Sequence, residues 1–484
     1  MTADLSTRRV LDAEPHTSLA SFAAIGGGTG IEAAAELGPD ATVDRIEASG
    51  LRGRGGAGFP TGRKWRTIRE NASDRLAATV VVNAAEGEPG SFKDRAILRA
   101  NPYRVLEGAL VAARTVGADA VVVALKASFG PELARVRAAI EEVRAAGWAA
   151  GVELMVVEGP SHYLYGEETG LMEVLAGRNP FPRLAPPFRH GLDELGPDTR
   201  SAADEPLAGP TGETAAAPTL VNNVETFANV GGIVARGPAW FRSAGTEESP
   251  GTVVCTVSGD TRRAGVAEVA MGTPLSDVIE AIGGGVAPGR QVAAVLSGVA
   301  NPIVPGRLVG TAVSHEAMAA IGSGLGAAGF LVFDDATDPV AIAAGVSRFL
   351  AVESCGQCQP CKQDGLALAE LLGRLCGPDA RPADAAAVAD HAATVADGAR
   401  CYLATQQQRV VESLLHLYPG QVRAHAEAAA VAVEPVLVAP IADLSDGIVT
   451  LDTRQAAKQP DWTYGDTYSG QSPADRVNAK TGLL

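Results

Sequence analysis

Apolar runs alternate with amphipathic stretches through the first half of the chain. A short β run at 78–83 is followed by a helical stretch at 101–115, a strand at 119–125, a helix at 131–146 and a strand at 152–157. This alternation predicts a mainly parallel α/β sheet. Residues 1–45 read as an Ala/Gly/polar lead-in with one short helix near 31–37. After the alternating region, 163–177 is a loop running into a helix, and 180–218, rich in Pro, Gly and charge, is a long surface excursion. A second polar loop, 218–226, enters a helix through 230–235. From 251 to about 335 the rhythm changes to short strands at 252–258, 265–269, 292–296 and 329–333 between glycine turns, which predicts a small separate α/β module. Ala- and Leu-rich periodicity at 366–375, 383–396 and 410–418 makes 336–430 mostly helical. Beyond Pro435 the chain turns to Pro, Asp, Gly and Ser, and an extended or partly disordered tail is expected.

A length of 484 residues suggests about three domains of roughly 150 residues each. The expected division is a lead-in (1–45), an α/β unit (46–245), the small module (246–335), a helical unit (336–430) and the tail (431–484). The apolar stretch 428–441 is broken by Glu434, Pro435 and Pro440, short of the ~20 residues a span requires, so no direct membrane crossing is expected. Residues 1–9 carry no apolar core after their charges and do not read as a secretory signal. Six cysteines in so long a chain fit a reducing compartment, and the expected location is cytoplasmic, free or on the cytoplasmic face of a membrane complex. A net charge of −16 argues against nucleic acid as a partner. The basic residues that do cluster, Arg52, Arg54, Arg63 and Lys64, sit in a glycine-rich loop, as a small anionic ligand would need. The histidines are scattered without metal-ligand spacing.

The chemistry concentrates in Glu353-Ser-Cys-Gly-Gln-Cys-Gln-Pro-Cys361. Thiolates spaced C-x2-C-x2-C on a turn can hold three corners of one iron–sulfur cube, and Cys401, beyond the following helical stretch, is the leading fourth ligand to Cys355, Cys358 and Cys361. A disulfide would leave one thiol unused, and a zinc site would normally pair two CxxC knuckles or add histidines. Cys255 and Cys376 lie in apolar runs and read as inert buried thiols.

Further motifs flank it. Gly50, Gly53, Gly55, Gly56 and Gly58 interleave with Arg52 and Arg54 in a loop whose backbone can approach a ligand closely. Taken in order, Gly-Leu-Arg-Gly-Arg-Gly-Gly-Ala-Gly-Phe-Pro-Thr-Gly (50–62), Glu-Gly-Glu-Pro-Gly (86–90), Tyr-Gly-Glu-Glu-Thr (165–169), Val-Asn-Asn-Val-Glu-Thr (221–226) and the cysteine motif resemble the flavoprotein subunit of respiratory complex I and the related diaphorase subunits of NAD-linked hydrogenases and formate dehydrogenases. The resemblance covers roughly 40–430. It implies a Rossmann-like FMN-binding domain, a ubiquitin-like β-grasp (soluble-ligand-binding) module and a helical bundle carrying one 4Fe–4S cluster, with NAD(H) as the hydride partner.

Carried onto this chain, the resemblance sets Gly53, Arg54, Gly55, Gly56 and Lys64 beside FMN and the dinucleotide. It sets Asn83, Glu86 and Glu88 along the isoalloxazine and nicotinamide, and Gly166, Glu167 and Glu168 at the closure of the dinucleotide pocket. Asn222, Asn223 and Thr226 would meet the FMN phosphate, Phe59 and Phe188 would sandwich the adenine, and Glu88 and Glu168 would hold the reacting end of the dinucleotide. It also implies a thioredoxin-like 2Fe–2S partner subunit and, beyond it, a complex I, dehydrogenase or hydrogenase module. Against these roles stand plainer ones: the four glutamates as helix N-terminal or exposed loop charges, and the two phenylalanines as core aromatics. The chain departs from the resemblance at Ala85 (usually Asp), Thr67 (usually aromatic), Tyr165 (usually Cys) and around Cys401. A flavin and cluster with a donor other than NAD(H), or a silent scaffold with a structural cluster, are the competing readings.

Overall fold

The structure, a computed structural model, describes residues 7–72, 76–184, 187 and 218–481. Four parallel strands, β1 (Ala78–Ala84), β2 (Ala118–Lys126), β3 (Glu153–Gly159) and β4 (Thr219–Asn223), form a sheet in the order β3-β2-β1-β4. Strand periodicity sorts the valines. Val80, Val82, Val121 and Val123 pack into the large core with helices Thr29–Ser49, Pro102–Val116 and Val224–Arg236, while Val81, Val122 and Val221 face Tyr165, Leu171 and Met172 on the other side. Both faces are covered, so the strands read as continuous apolar runs. Helix Pro102–Val116 starts where proline occupies the first turn and the Asn101 side chain accepts from Arg104 N, and it stops at Gly117, whose φ of 73° few other residues tolerate.

Three features depart from the sequence expectations. Residues 29–49 form one long helix, bent at Gly38–Pro39, and pack into the core where only a short helix was expected. A helix over Lys93–Ala100 follows Gly90. The stretch expected as a polar loop at 219–223 is β4, an edge strand too short for its alternation to show. The proline-rich excursion falls largely outside the described residues.

The second sheet comprises β5 (Thr252–Gly259), β6 (Gly265–Ala270), β7 (Val292–Ser297), β8 (Val304–Pro305) and β9 (Gly329–Asp334) in the order β6-β5-β9-β7-β8. Only β5 and β9 run parallel, which is the β-grasp arrangement. Helices Pro339–Glu353, Gln359–Cys376, Pro382–Thr394, Leu403–Leu417 and Pro419–Ala426 bundle around a core that includes Leu350, Leu372 and Leu414.

The tail differs from its expectation. Its first part is extended, but a hairpin, β10 (Ile441–Ser445) and β11 (Ile448–Leu451), and a helix, Pro473–Thr481, follow. Arg95 fixes the hairpin by donating to the Ile441 and Ala442 carbonyls at 2.9 and 2.8 Å. Low hydrophobicity had suggested disorder; the tail is held instead by hydrogen bonds to distant residues, which composition does not register. Among the described residues, no helix is long and apolar enough to cross a membrane.

Candidate functional site

The order of the parallel sheet places a topological switch between β1 and β4, the place where open α/β sheets bind ligands beyond the carboxyl ends of the strands. In-register pairing sets Asn83 beside Asn223 at that edge. The glycine loop crosses the same edge. It leaves helix Thr29–Ser49 at Gly50 (φ 72°) and is tied across its neck by Gly53 N to Phe59 O (2.8 Å) and Arg52 Nε to Gly58 O (2.8 Å). A Cβ on Gly55 would stand 3.2 Å from the Asn223 Cβ, so the loop lies directly on the end of β4. Gly56, at φ 130°, has no described atom within 4 Å of where its Cβ would stand, an open backbone cradle of the kind an isoalloxazine or a phosphate can approach.

Several predicted ligands are linked to one another at the same sheet edge. Lys64 Nζ donates to Glu168 Oε1 (2.6 Å) and to Val221 O (2.7 Å), bridging helix Thr61–Glu70, which follows the glycine loop, to β4 and helix Glu168–Leu175. Gly166 O accepts from the Asn83 carboxamide (2.9 Å). Phe59 is half exposed, which removes the core-aromatic reading, and Arg63 sits 5.9 Å above its ring. Phe188 lies outside the described residues.

Other predicted residues serve the scaffold. The Arg54 guanidinium is buried and donates to Thr252 O (3.0 Å), while its backbone N–H donates to Thr226 Oγ1 (2.9 Å), so this pair ties the loop to helix Val224–Arg236. Asn223 Oδ1 caps that helix at Glu225 N (3.0 Å). Asn222 is buried, and its carboxamide is satisfied when its oxygen accepts from Trp65 Nε1 (2.9 Å). Glu86 accepts from Asp94 N and Arg95 N, both at 3.2 Å, at the start of helix Lys93–Ala100; Glu167 accepts from Gly170 N (2.7 Å) at the start of helix Glu168–Leu175. Both thus fill the helix N-terminal role open to them from the sequence.

Sequence reasoning missed two groups. Lys93 is fully buried, with Asp94 at 2.7 Å, Glu225 at 3.0 Å and Asn223 Oδ1 at 3.1 Å. Burial alone would depress its ammonium, but the three carboxylates of Asp94, Glu225 and Glu86 outweigh it and hold the group above its usual range. Four charged residues, Lys93, Asp94, Arg95 and Arg99, share this stretch, so nothing local marks Lys93 as the buried one. The other is Tyr163, whose hydroxyl donates to Glu88 Oε2 (2.5 Å) while Val299 N of the β-grasp unit donates to Glu88 Oε1 (2.6 Å). Burial raises the Glu88 carboxyl above the ordinary range. Tyr165 is fully buried against Ala85, Leu171 and Met172.

The cysteines converge. Cys355 and Cys358 come from the turn between helices Pro339–Glu353 and Gln359–Cys376, Cys361 from the first turn of the second of these, Cys401 from the turn before helix Leu403–Leu417, and all four line one pocket with Leu164, Pro182 and Ala404. Cys255 and Cys376 are buried elsewhere. Gln357 Nε2 donates to Cys355 Sγ (3.5 Å) and Arg400 N to Cys358 Sγ (3.4 Å), and Ser354 Oγ lies 3.3 Å from Cys361 Sγ. Hydrogen bonds of this kind offset thiolate charge at iron–sulfur centres. Among the described residues no three His, Cys, Asp or Glu side chains converge closely enough to hold a single ion. Four cysteines lining one pocket supply the ligand set of a 4Fe–4S cube, which takes one thiolate at each corner.

Two family profiles match the chain: the Nuo51 FMN-binding domain over residues 46–232, and the NADH-ubiquinone oxidoreductase-F iron–sulfur binding region over 341–425. An F subunit of NADH-quinone oxidoreductase from Rhizobium meliloti (strain 1021), numbered 2 in that organism, is 35% identical over 341 residues, covering 69% of this chain and 76% of the relative. The F subunit of the same enzyme from Rickettsia typhi is 33% identical, covering 72% of this chain and 79% of the relative. Among solved structures, an NAD+-reducing [NiFe]-hydrogenase in its H2-reduced state is similar with a TM-score of 0.72 at 31% identity, over 85% of this chain and 67% of that one. With a switch-point glycine cradle, a four-cysteine pocket and relatives matched over three quarters of their length, this chain belongs to the family of NADH-quinone oxidoreductase F subunits.

Proposed function

We propose that this chain is the flavin-bearing electron-transfer subunit of a larger NADH-linked assembly, exchanging hydride with NAD(H) at FMN and single electrons with a partner through a 4Fe–4S cluster. The observation that carries the reading is the four-residue turn Tyr163–Gly166, which touches both the sheet edge at Asn83 and the cysteine pocket. Gly166 O holds Asn83 at the sheet edge, Leu164 lines the cysteine pocket, and the Tyr163 hydroxyl joins Glu88 to Gln406, whose Nε2 donates to it at 3.0 Å from the helix after Cys401. When bound, FMN converts two-electron into one-electron chemistry and the cluster carries single electrons.

The residues divide the work. The Gly55 and Gly56 backbone, beside the first turn of helix Val224–Arg236, is assigned to the FMN phosphate and ring, with Lys64 as the nearby cation. Glu88 and Glu168 are assigned to the carboxamide and ribose hydroxyls of the nicotinamide end, and Phe59, exposed at the mouth, to the adenine. Cys355, Cys358, Cys361 and Cys401 hold the cluster, and Leu164, Leu403 and Ala404 exclude water from it. A thioredoxin-like 2Fe–2S subunit is the assigned next carrier, and the cytoplasm or the cytoplasmic face of a membrane complex the assigned place.

Ala85 favours a second reading, in which the same relay serves another donor. It is buried in the apolar cluster beneath the sheet with Tyr165, so no carboxylate stands there. Adding NADH anaerobically to purified protein separates the two: bleaching of the bound flavin supports NAD(H), and a flavin reduced by dithionite but inert to NADH points to another donor. Protein that carries iron but no flavin would overturn both. Mass spectrometry of chains that co-purify from the host identifies the assembly, and a chain that purifies alone would refute the partner assignment.

A further inference from the structure

The C-terminal segment lies beyond both matched regions, yet it closes over the cysteine turn. Five contacts fall within ten residues of that turn. Trp462 Nε1 donates to Val352 O (3.0 Å), Lys458 Nζ pairs with Glu353 Oε1 (2.6 Å), and Ala474 N donates to Cys355 O (3.0 Å). Ser472 stands where a Cβ on Gly356 would be, and Lys362 Nζ donates to Pro460 O (2.6 Å). The Lys458 and Glu353 side chains are each 2% exposed. Glu353 also accepts from Tyr163 N at 3.0 Å through its other oxygen, and Lys458 Nζ lies 3.2 Å from His162 Nδ1. The Trp462 ring stacks on His162 with centroids 4.1 Å apart. Trp462 itself takes φ 64°, a conformation costly for a bulky residue and held here by those contacts. One buried ion pair therefore joins three pieces of chain: the turn shared with the flavin side, the ligand loop and the tail.

We infer that residues 458–476 form a built-in strap that seals the ligand loop of the cluster from solvent, with Lys458 as the positioning residue that fixes the Cys355 loop against the Tyr163 turn. The partner chemistry is intramolecular: a buried cation neutralises a buried carboxylate that would otherwise sit next to an anionic cluster, and an indole covers the join. Without Lys458, the Glu353 charge is uncompensated and the loop loses its anchor to the flavin side. The inference rests on the cysteines being cluster ligands, which the iron and sulfide content of the unaltered protein tests separately.

The experiment uses the full chain, a chain ending at residue 457, and the variants Lys458→Met, Lys458→Arg and Trp462→Ala, each loaded with FMN, ferrous iron and sulfide. Iron release to a ferrous chelator is timed, and the EPR spectrum and midpoint potential of the cluster are recorded. The shortened chain is expected to release iron roughly tenfold faster or more, as local opening exposes the ligand loop. Lys458→Met should move the midpoint to more negative potential and alter the EPR line shape, because a buried positive charge is lost near the cluster. Lys458→Arg should restore both towards the unaltered values, and Trp462→Ala should quicken iron release. If truncation prevents FMN loading, the three point variants decide. Native iron-release rates in the shortened chain, or in the point variants where those decide, together with an unchanged potential in Lys458→Met, would overturn the strap. Failure of the unaltered protein to hold iron would instead refute the cluster reading.

Discussion

On the flavin side the backbone does the positioning: parallel pairing of β1 with β4 sets Asn83 beside Asn223, and the glycine loop is laid over the strand ends. On the cluster side no sheet is involved. The four cysteines sit at helix ends and turns, and their loop is fixed by side-chain and backbone contacts with chain about a hundred residues further on. Where strand register sets a site, local sequence already specifies it. Where helix ends set it, geometry depends on whatever caps and covers those ends. The flavin site should therefore tolerate change in the helical unit, while the cluster site should be sensitive at a distance.

The largest expected effect tests the separateness of the two regions. Cys401→Ser removes one of four thiolates, so iron content and cluster absorbance should collapse while FMN stays bound; Cys376→Ser, buried outside the pocket, should leave iron unchanged. Loss of FMN in Cys401→Ser would break the comparison. Next comes Lys93→Met, which strands Asp94 and Glu225 as buried carboxylates beneath the flavin side and should cost about 3–5 kcal/mol in chemical denaturation.

These two predictions also mark what the sequence made legible. The cysteine spacing and the glycine loop announce themselves because ligand geometry and positive-φ turns demand particular residues at fixed separations. β4 escaped because five residues, two of them asparagines that pair or cap at its end, carry too little alternation to read as a strand. Glu86 and Glu167 accept backbone N–H groups at helix starts, an additional role that sequence alone does not separate from the pocket role named for them. Lys93 and Lys458 were invisible for a common reason: a buried ion pair is defined by a partner distant in sequence, Glu225 in one case and Glu353 in the other.

Smaller effects refine the dinucleotide assignment. Glu88→Gln and Glu168→Gln should each weaken NADH binding by roughly 1–3 kcal/mol with FMN retained, the value of a charge-assisted hydrogen bond, as read from NADH titration of the flavin. Equal affinity in both variants would remove these residues from the site. Smallest is Thr67→Phe, one turn along the helix from Lys64 and Arg63, which should tighten NADH binding by about 1 kcal/mol if a ring there adds stacking beside Phe59.

A joined electron path is tested by following flavin absorbance and the EPR signal of the cluster together while NADH is added anaerobically to the full-length protein. The flavin is expected to bleach as the spectrum of a reduced 4Fe–4S cluster grows in with it, and in Cys401→Ser the bleaching should persist without the cluster signal. A flavin that bleaches while an intact cluster stays oxidised, although dithionite reduces it to a potential NADH can reach, would contradict the claim that the Tyr163–Gly166 turn joins two working halves of one electron path.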